Sequence, residues 1–321
     1  MGKIQLNEIN AVLEVDGEMV AGKGEDSFSH SVSSYRGYIG VFDGCGGIGS
    51  KRYEKAAEHT GAYLASRLAA KIFLEKEIEQ QGYLNREQIH EEIQTDLFKK
   101  FQNLKAKLET PSGFRMKGDL QKTLPTTAAL MSASCREDGL VVKCLWAGDS
   151  RGYVLTDSGL TQVTKDDIDD SEDAFSNISG DSRLTNMVNA DSPFVLHERM
   201  LMFKEPCILF VASDGVFNYM PTPMDFENVL LQTLLRASSL KDWELRLNHL
   251  ISKYASDDYS FRAMVYGFEN FGSIKNYYAA RIKDLQTDYI QPMKQARAAY
   301  GHDKDVDFWN KYKQSYERYL H

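Results

Sequence analysis

The sequence predicts an α+β domain built in layers rather than a regular alternation of strand and helix. Three observations carry that prediction. Apolar runs fall in the order strands, helices, strands, helices, strand; several of the short runs stop on an Asp-Gly turn; and neither GxxxxGK[ST] nor GxGxxG occurs, which argues against a kinase or a dehydrogenase. With 321 residues, 42% of them hydrophobic, the chain has enough apolar surface for a substantial core.

Residues 9 to 20 and 35 to 43 carry apolar, β-branched and aromatic runs, with Gly22-Lys23-Gly24-Glu25-Asp26 as the turn between two strands. From Tyr53 to Leu108 the period becomes helical. Ala57, Gly61, Leu64, Leu68 and Ile72 share one face, and Ile89, Ile93, Leu97 and Phe101 another, so two long helices broken near Gly82 are expected. Pro111-Ser112-Gly113 opens a loop that runs to Pro125. Residues 127–134, 140–147, 151–156 and 160–163 then form an antiparallel meander, turning at Glu137-Asp138-Gly139 and Asp157-Ser158-Gly159.

Lys165 to Asp173 packs six acids into nine residues and opens an irregular stretch to about Pro193. A charge run is most often a solvated face, and a flap beside a site is the alternative. Cys207 to Ala212 is a buried strand ending at Ser213-Asp214-Gly215, Met224 to Ile251 makes two helices, and Ala263 to Phe268 is the last strand, entered from Asp257-Asp258. Beyond it the charge reverses: Asn270 to His321 holds nine Lys and Arg against six Asp and Glu, in a chain of net charge −8. Ile274, Tyr278, Ile282, Leu285 and Tyr289, and then Trp309, Tyr312, Tyr316 and Tyr319, have helical spacing. They predict a hairpin turning near Gly301-His302-Asp303, whose aromatic stripe either packs back on the domain or meets a protein partner. The chain therefore divides into a domain over 1–269 and a helical appendage over 270–321.

The acidic balance argues against a nucleic-acid partner. Met1 to Leu6 lacks the apolar core of a signal peptide, Leu6 stands where a myristoylation signal needs Ser or Thr, and no run is long enough to span a bilayer, so a cytoplasmic protein without a membrane is expected. Cys45, Cys135, Cys144 and Cys207 are scattered and read as reduced, mostly buried thiols.

The chemistry concentrates at strand ends. Val41-Phe42-Asp43-Gly44-Cys45-Gly46-Gly47 is an apolar run that stops on a carboxylate and enters a glycine-rich turn. An Asp there either faces an ion across the turn or simply ends a strand, the commoner case. Glu25-Asp26, Asp149, Asp214 and Asp257-Asp258 stand at comparable strand edges, and carboxylates delivered together suit hard cations.

In order, Glu25-Asp26, Val41 to Gly47, Thr126-Thr127, Trp146-Ala147-Gly148-Asp149-Ser150-Arg151-Gly152, Ala212-Ser213-Asp214-Gly215 and Asp257-Asp258 resemble the motifs of the metal-dependent (PPM, or type 2C) protein serine/threonine phosphatases, over roughly residues 10 to 268. The resemblance implies a four-layer α-β-β-α sandwich with a metal site at one end between the sheets. It implies two Mn²⁺ or Mg²⁺ ions held by Asp26, Asp43, the Gly44 carbonyl, Asp214 and Asp258, with Asp26, Asp43 and Asp214 central to hydrolysis of phosphoserine or phosphothreonine in a phosphoprotein. By the same carry-over Asp149 shares a third, weaker ion with Asp214, a role that competes evenly with turn capping. Glu25 acts on a ligand through water or by orienting it. Asp258, just before the final strand, is chosen over Asp257.

Two positions depart from the family pattern. Cys45 stands where many members carry a His that can protonate the leaving serine oxygen; a thiol is a poor general acid for that alkoxide, although Met also occurs there in active bacterial members. Ala21 stands where an arginine fork for the substrate phosphate is usual, leaving Lys23 as the nearest cation and Lys51 and Arg52 as others. These departures also fit an inactive pseudophosphatase that only binds phosphoproteins. Arg151 reads as a structural partner for one of the acids.

Overall fold

The protein is described here by a computed structural model, which covers residues 8–79, 89–109, 121–169, 173–179 and 183–320. Expectations for Met1 to Leu6, the break near Gly82, the loop opening at Pro111-Ser112-Gly113, and Asp170 to Glu172 of the acidic run lie outside these residues.

Two five-stranded antiparallel sheets form the centre. The first runs β1 (Ile9–Gly17), β12 (Tyr259–Tyr266), β11 (Cys207–Ala212), β8 (Arg151–Thr156), β9 (Gly159–Gln162); the second runs β10 (His197–Phe203), β7 (Gly139–Ala147), β6 (Ala128–Arg136), β3 (Arg36–Phe42), β2 (Ser27–Val32). The meander is thus two hairpins in different sheets, because the chain crosses from one sheet to the other at Gly148 to Ser150. Alternation sorts the side chains: Tyr38 and Phe42 of β3 face outward to helices, while Ile39 and Val41 face the opposite sheet. Both faces are buried, which is why these strands read as unbroken apolar runs.

Helices α1 (Gly61–Glu79) and α2 (Ile89–Leu108) cover the second sheet. The buried stripe of α2 is Ile89, Ile93, Leu97 and Phe101, as its spacing predicts. Helix α1 starts at Gly61 rather than Tyr53, because residues 52–60 form a small ribbon of β4 (Arg52–Tyr53) and β5 (His59–Thr60) around a 3-10 turn. Its buried face is Ala62, Ala65, Ala69, Ile72 and Phe73, with Leu64 and Leu68 only partly covered. The short α3 (Ser176–Ser179) lies in the irregular stretch, and α4 (Asp214–Phe217) follows β11. Helices α5 (Pro223–Arg236), capped by Thr222, and α6 (Leu240–Tyr254), capped by Ser239, cover the first sheet. The result is the four-layer sandwich.

The carboxy-terminal helices pack into the α5–α6 layer. Helix α7 (Phe271–Leu285) opens with a capping box at Asn270 and Ser273, then widens into one π turn over 286–290 before α8 (Gln291–Tyr300). Pro292, which has no amide hydrogen, stands just after that turn and supplies its cause. The chain reverses over Gly301–Lys304, with Gly301 at φ 65°, into α9 (Asp305–Tyr316). Tyr278, Ile282, Trp309, Tyr312 and Tyr316 are buried in the same cluster as Leu230 and Trp243, so the stripe packs back on the domain. Among the described residues no helix is long and apolar enough to cross a membrane.

Glu227 on α5 ties these layers together. Its carboxylate, with no exposed surface, accepts two 2.7 Å bonds from Arg281 of α7 and one of 2.5 Å from Tyr312 of α9. Arg281→Met leaves that charge buried with a single donor and is expected to cost roughly 3–5 kcal/mol in chemical denaturation, with much of the loss recovered when Glu227→Gln is added.

Candidate metal centre

Five strand ends bring the acids to one rim of the sandwich. Ser27 pairs with Phe42 across β2 and β3, so Asp26 and Asp43 meet just beyond that pair; Ala212 pairs with Phe261, which sets Asp214 beside the entry to β12. Asp149 follows β7 at the crossing between sheets. Asp26, Asp43, Gly44, Asp149, Asp214, Asp257, Asp258 and Glu25 all line one cleft of about 1010 Å³.

The backbone of Asp43 is fixed and its carboxyl is left to the cleft. Its amide donates to Thr127 Oγ1 at 3.2 Å, and its carbonyl accepts the Thr127 amide and the Thr126 hydroxyl, both at 2.8 Å. Thr127 Oγ1 also meets Ser150 Oγ at 2.7 Å, joining the Asp43 turn to the Asp149 turn. Gly44 is dictated by space, since a Cβ there would stand 2.7 Å from the carbonyl oxygens of Ala62 and Glu25. Asp26 accepts Ser213 Oγ at 2.7 Å, and the same hydroxyl accepts the Ser260 amide at 2.8 Å, locking the two sheets together. Asp214 accepts Asn218 Nδ2 at 3.1 Å.

The Asp43 carboxyl is within hydrogen-bonding reach of both Asp26 and Asp214, which requires shared protons or a cation between them. Burial pushes Asp26 up to about 7, against the Ser213 bond and with the Asp214 charge adding to the rise. Burial, then the charges of Asp26, Asp214 and Asp149, hold Asp43 well above the usual carboxylate range. Asp149 rises likewise, through burial and then Asp214, and Asp214 rises through burial. The donor set fits hard divalent cations: carboxylates and a carbonyl, with one thiol and no imidazole in the cleft lining. Among the described residues no group of three or more His, Cys, Asp or Glu side chains is already spaced to hold a metal ion.

Asp258 uses both carboxylate oxygens on main-chain donors, Met19 at 2.7 Å and Glu25 at 2.9 Å, and so shapes the 19–25 turn. Asp257, more exposed, receives the Asp258 amide at 2.8 Å and faces the same cleft. Thr60 donates to Glu25, anchoring it to the start of α1. The Cys45 thiol is pushed well up by burial and by the Asp43, Asp149 and Asp214 charges.

Lys23 is exposed in its turn and does not line the cleft. Lys51 pairs with Glu109 at 3.0 Å, and Arg52 donates to the Glu58 carbonyl at 2.9 Å. The cations in the cleft wall are Lys122 and Arg183, residues that stand in no motif and so gave no sequence signal. Arg151 is indeed a structural partner, forked onto buried Asp166 with bonds of 2.6 to 3.2 Å. The acidic run is therefore only in part a solvated face where it is described: Asp169 is exposed, whereas Asp166 holds Arg151, and Asp167 holds the Gly148 amide at 2.9 Å and His197 at 2.8 Å.

The sequence matches no family model and no curated protein. Solved structures do match. The serine/threonine phosphatase Stp1 from Staphylococcus aureus superposes with a TM-score of 0.58 at 16% identity, over 83% of this chain and 98% of that one. The serine/threonine phosphatase of S. agalactiae gives 0.55 at 15%, over 80% and 99%. The catalytic domain of the phosphatase PstP, solved in complex with two manganese ions, gives 0.51 at 17%, over 80% and 96%. This chain has their fold.

A raised Asp26 fixes the pH dependence of the metal-free protein. Between its ordinary 3.8 and about 7 the unfolded chain has lost the proton that the folded one keeps, so stability falls as pH rises through this window. Asp173, lowered to about 2 by its hydrogen bonds against the effect of burial, acts below that window. Thermal melts of chelator-treated protein are expected to show the melting temperature dropping from pH 5 to pH 8. Asp43→Asn, which supplies an amide between two acceptors, raises the stability of metal-free protein at pH 8 by roughly 1–3 kcal/mol.

Proposed function

We propose that the chain is a protein phosphatase that hydrolyses phosphoserine and phosphothreonine with divalent metal. The observation that carries this reading is the Asp43 carboxyl standing between Asp26 and Asp214 at the shared end of the two sheets. A pair of Mn²⁺ or Mg²⁺ ions, when bound there, would supply an activated water, and no nucleophilic side chain would then be needed. Asp43, Asp26, Asp214 and the Gly44 carbonyl would hold these ions, with Asp43, between the other two acids, shared by both. Asp149, beside Asp214, suits a third, weaker ion. Asp258 contributes from the entry to β12, with Asp257 the more open carboxylate of that pair, and Glu25, held by Thr60 at its carboxylate and by Ser66 at its carbonyl, orients Asp258 through its own amide.

Cys45 plays no acid role in this scheme. A thiol pushed up by burial and then by three neighbouring carboxylates keeps its proton at neutral pH and fills the turn. The substrate phosphate needs cations in an acidic cleft, and Lys122 and Arg183 on its wall are better placed than Lys23 on the outer turn. The pseudophosphatase reading rests on Ala21 and Cys45 alone, and those two cations answer the first of these.

Phosphate release from a phosphothreonine peptide is expected with Mn²⁺ and not with chelator. Asp43→Asn lowers it on the order of 100-fold or more. Lys122→Met and Arg183→Met raise KM more than they lower kcat, while Lys23→Met leaves both near wild type. Metal-loaded wild-type protein that binds phosphopeptide without turnover would overturn the enzyme in favour of a binding module.

A further inference from the structure

Helix α9 reaches the far wall of the acid site. Trp309 Nε1 and Lys313 Nζ both donate to Asp173 Oδ2, at 3.0 and 2.9 Å, and Glu317 Oε1 accepts the Ala174 amide at 2.7 Å. The Phe175 ring lies against Trp309 with centroids 5.9 Å apart. Asp173 in turn accepts the Phe175 and Ser176 amides through its other oxygen, at 3.0 and 2.9 Å, and so starts α3. From α3, Asn177 donates to Asp166 Oδ2 at 2.9 Å, and the Ala174 carbonyl accepts Arg151 Nη2 at 3.4 Å. Asn177, Asp166 and Arg151 line a second cavity, of about 310 Å³, onto which Asp149 and Asp214 also open.

We propose that α9 is a positioning element for the carboxylate centre: by anchoring Asp173 and Ala174 it keeps Arg151 committed to Asp166 and so keeps Asp149 and Asp214 free for a divalent cation. The inference rests on the metal-dependent reading above. Its physical core is competition for oxygen. Arg151 is 1% exposed and its Nη1 has no hydrogen-bond partner among the described residues, so a guanidinium released from the 174–177 wall has a donor ready for another acceptor. Asp149 and Asp214, whose carboxyls already feel its charge, are the acids that share its cavity besides Asp166. An arginine paired with them occupies oxygens that the cation needs. Trp309 and Lys313 touch neither the cleft nor the acids, and their effect passes through Asp173.

The test is Mn²⁺ titration of the metal-free, full-length protein by calorimetry, with no substrate present. Trp309→Phe combined with Lys313→Met keeps the ring and the stem but removes both donors to Asp173; it is expected to raise the Mn²⁺ dissociation constant about tenfold, at the lower end for outer-shell partners. Restoring charge with Lys313→Arg in the same background recovers part of the loss. Ile274→Val, in the same apolar cluster but with no bond to 173–177, is expected to lower the melting temperature and leave Mn²⁺ affinity unchanged. Wild-type affinity in the double variant, or an equal loss in Ile274→Val, overturns the proposal. Asp43→Asn separates this from failure of the metal reading: if Asp43→Asn binds Mn²⁺ as wild type does, the metal centre itself is misassigned and the inference falls with it.

Discussion

Four carboxyls gathered at one end of a sandwich repel one another, and the rest of the structure is arranged to hold them there. Two unit charges 4 Å apart interact by about 4 kcal/mol at an effective dielectric of 20, so Asp26, Asp43, Asp149 and Asp214 do not all ionise together without a counter-charge. The sheets make the gathering unavoidable. Register places Ser27 opposite Phe42 and Ala212 opposite both Phe261 and Arg151, so Asp26, Asp43, Asp214 and Asp149 each lie one or two residues from a paired residue. Main-chain bonds then fix the turns, three of them at Asp43 alone, so the repulsion is not relieved by moving the backbone.

The supporting frame is built from residues distant in sequence. Arg151 and Asp166 neutralise each other beside Asp149, Asp167 holds the Gly148 amide, and the α7–α9 helices close over the layer through Glu227 and Arg297. Arg297 forks between Asp225 of α5 and Asp305 of α9 with bonds of 2.6 to 3.2 Å. The basic carboxy-terminal region thus spends part of its charge inside the molecule, on acids of the same layer. That use of charge connects its composition to packing rather than to an acidic partner surface.

The acid positions and the central strands were legible because they depend on local rules: apolar runs of period two and Asp-Gly turns. Of the sandwich strands, the sequence concealed β2 and β10, the outer strands of the second sheet. Ser27, Ser29, His30 and Ser31 in one, and His197, Glu198 and Arg199 in the other, are the polar residues that edge strands carry, and they mask the pattern. Helix α1 misled for a different reason. Hydropathy selects Leu64 and Leu68, whereas close approach to the sheet over the first turns selects the small Ala62, Ala65 and Ala69, with Ile72 and Phe73 buried beyond them. The acidic run was opaque because its partners, Arg151, His197, Trp309 and Lys313, are 15 to 140 residues away. Lys122 and Arg183 were opaque for the same reason, since only the folded cleft brings them opposite the acids.

The account depends on Asp43 as the residue that joins the centre. Anomalous diffraction at the manganese edge from a crystal soaked in Mn²⁺ tests this most directly. Two peaks flanking the Asp43 carboxylate, one toward Asp26 and one toward Asp214, are the result expected. Manganese bound with Asp43 outside its coordination sphere, or a cleft that stays unloaded while Asp43 keeps its contacts to Asp26 and Asp214, would contradict it.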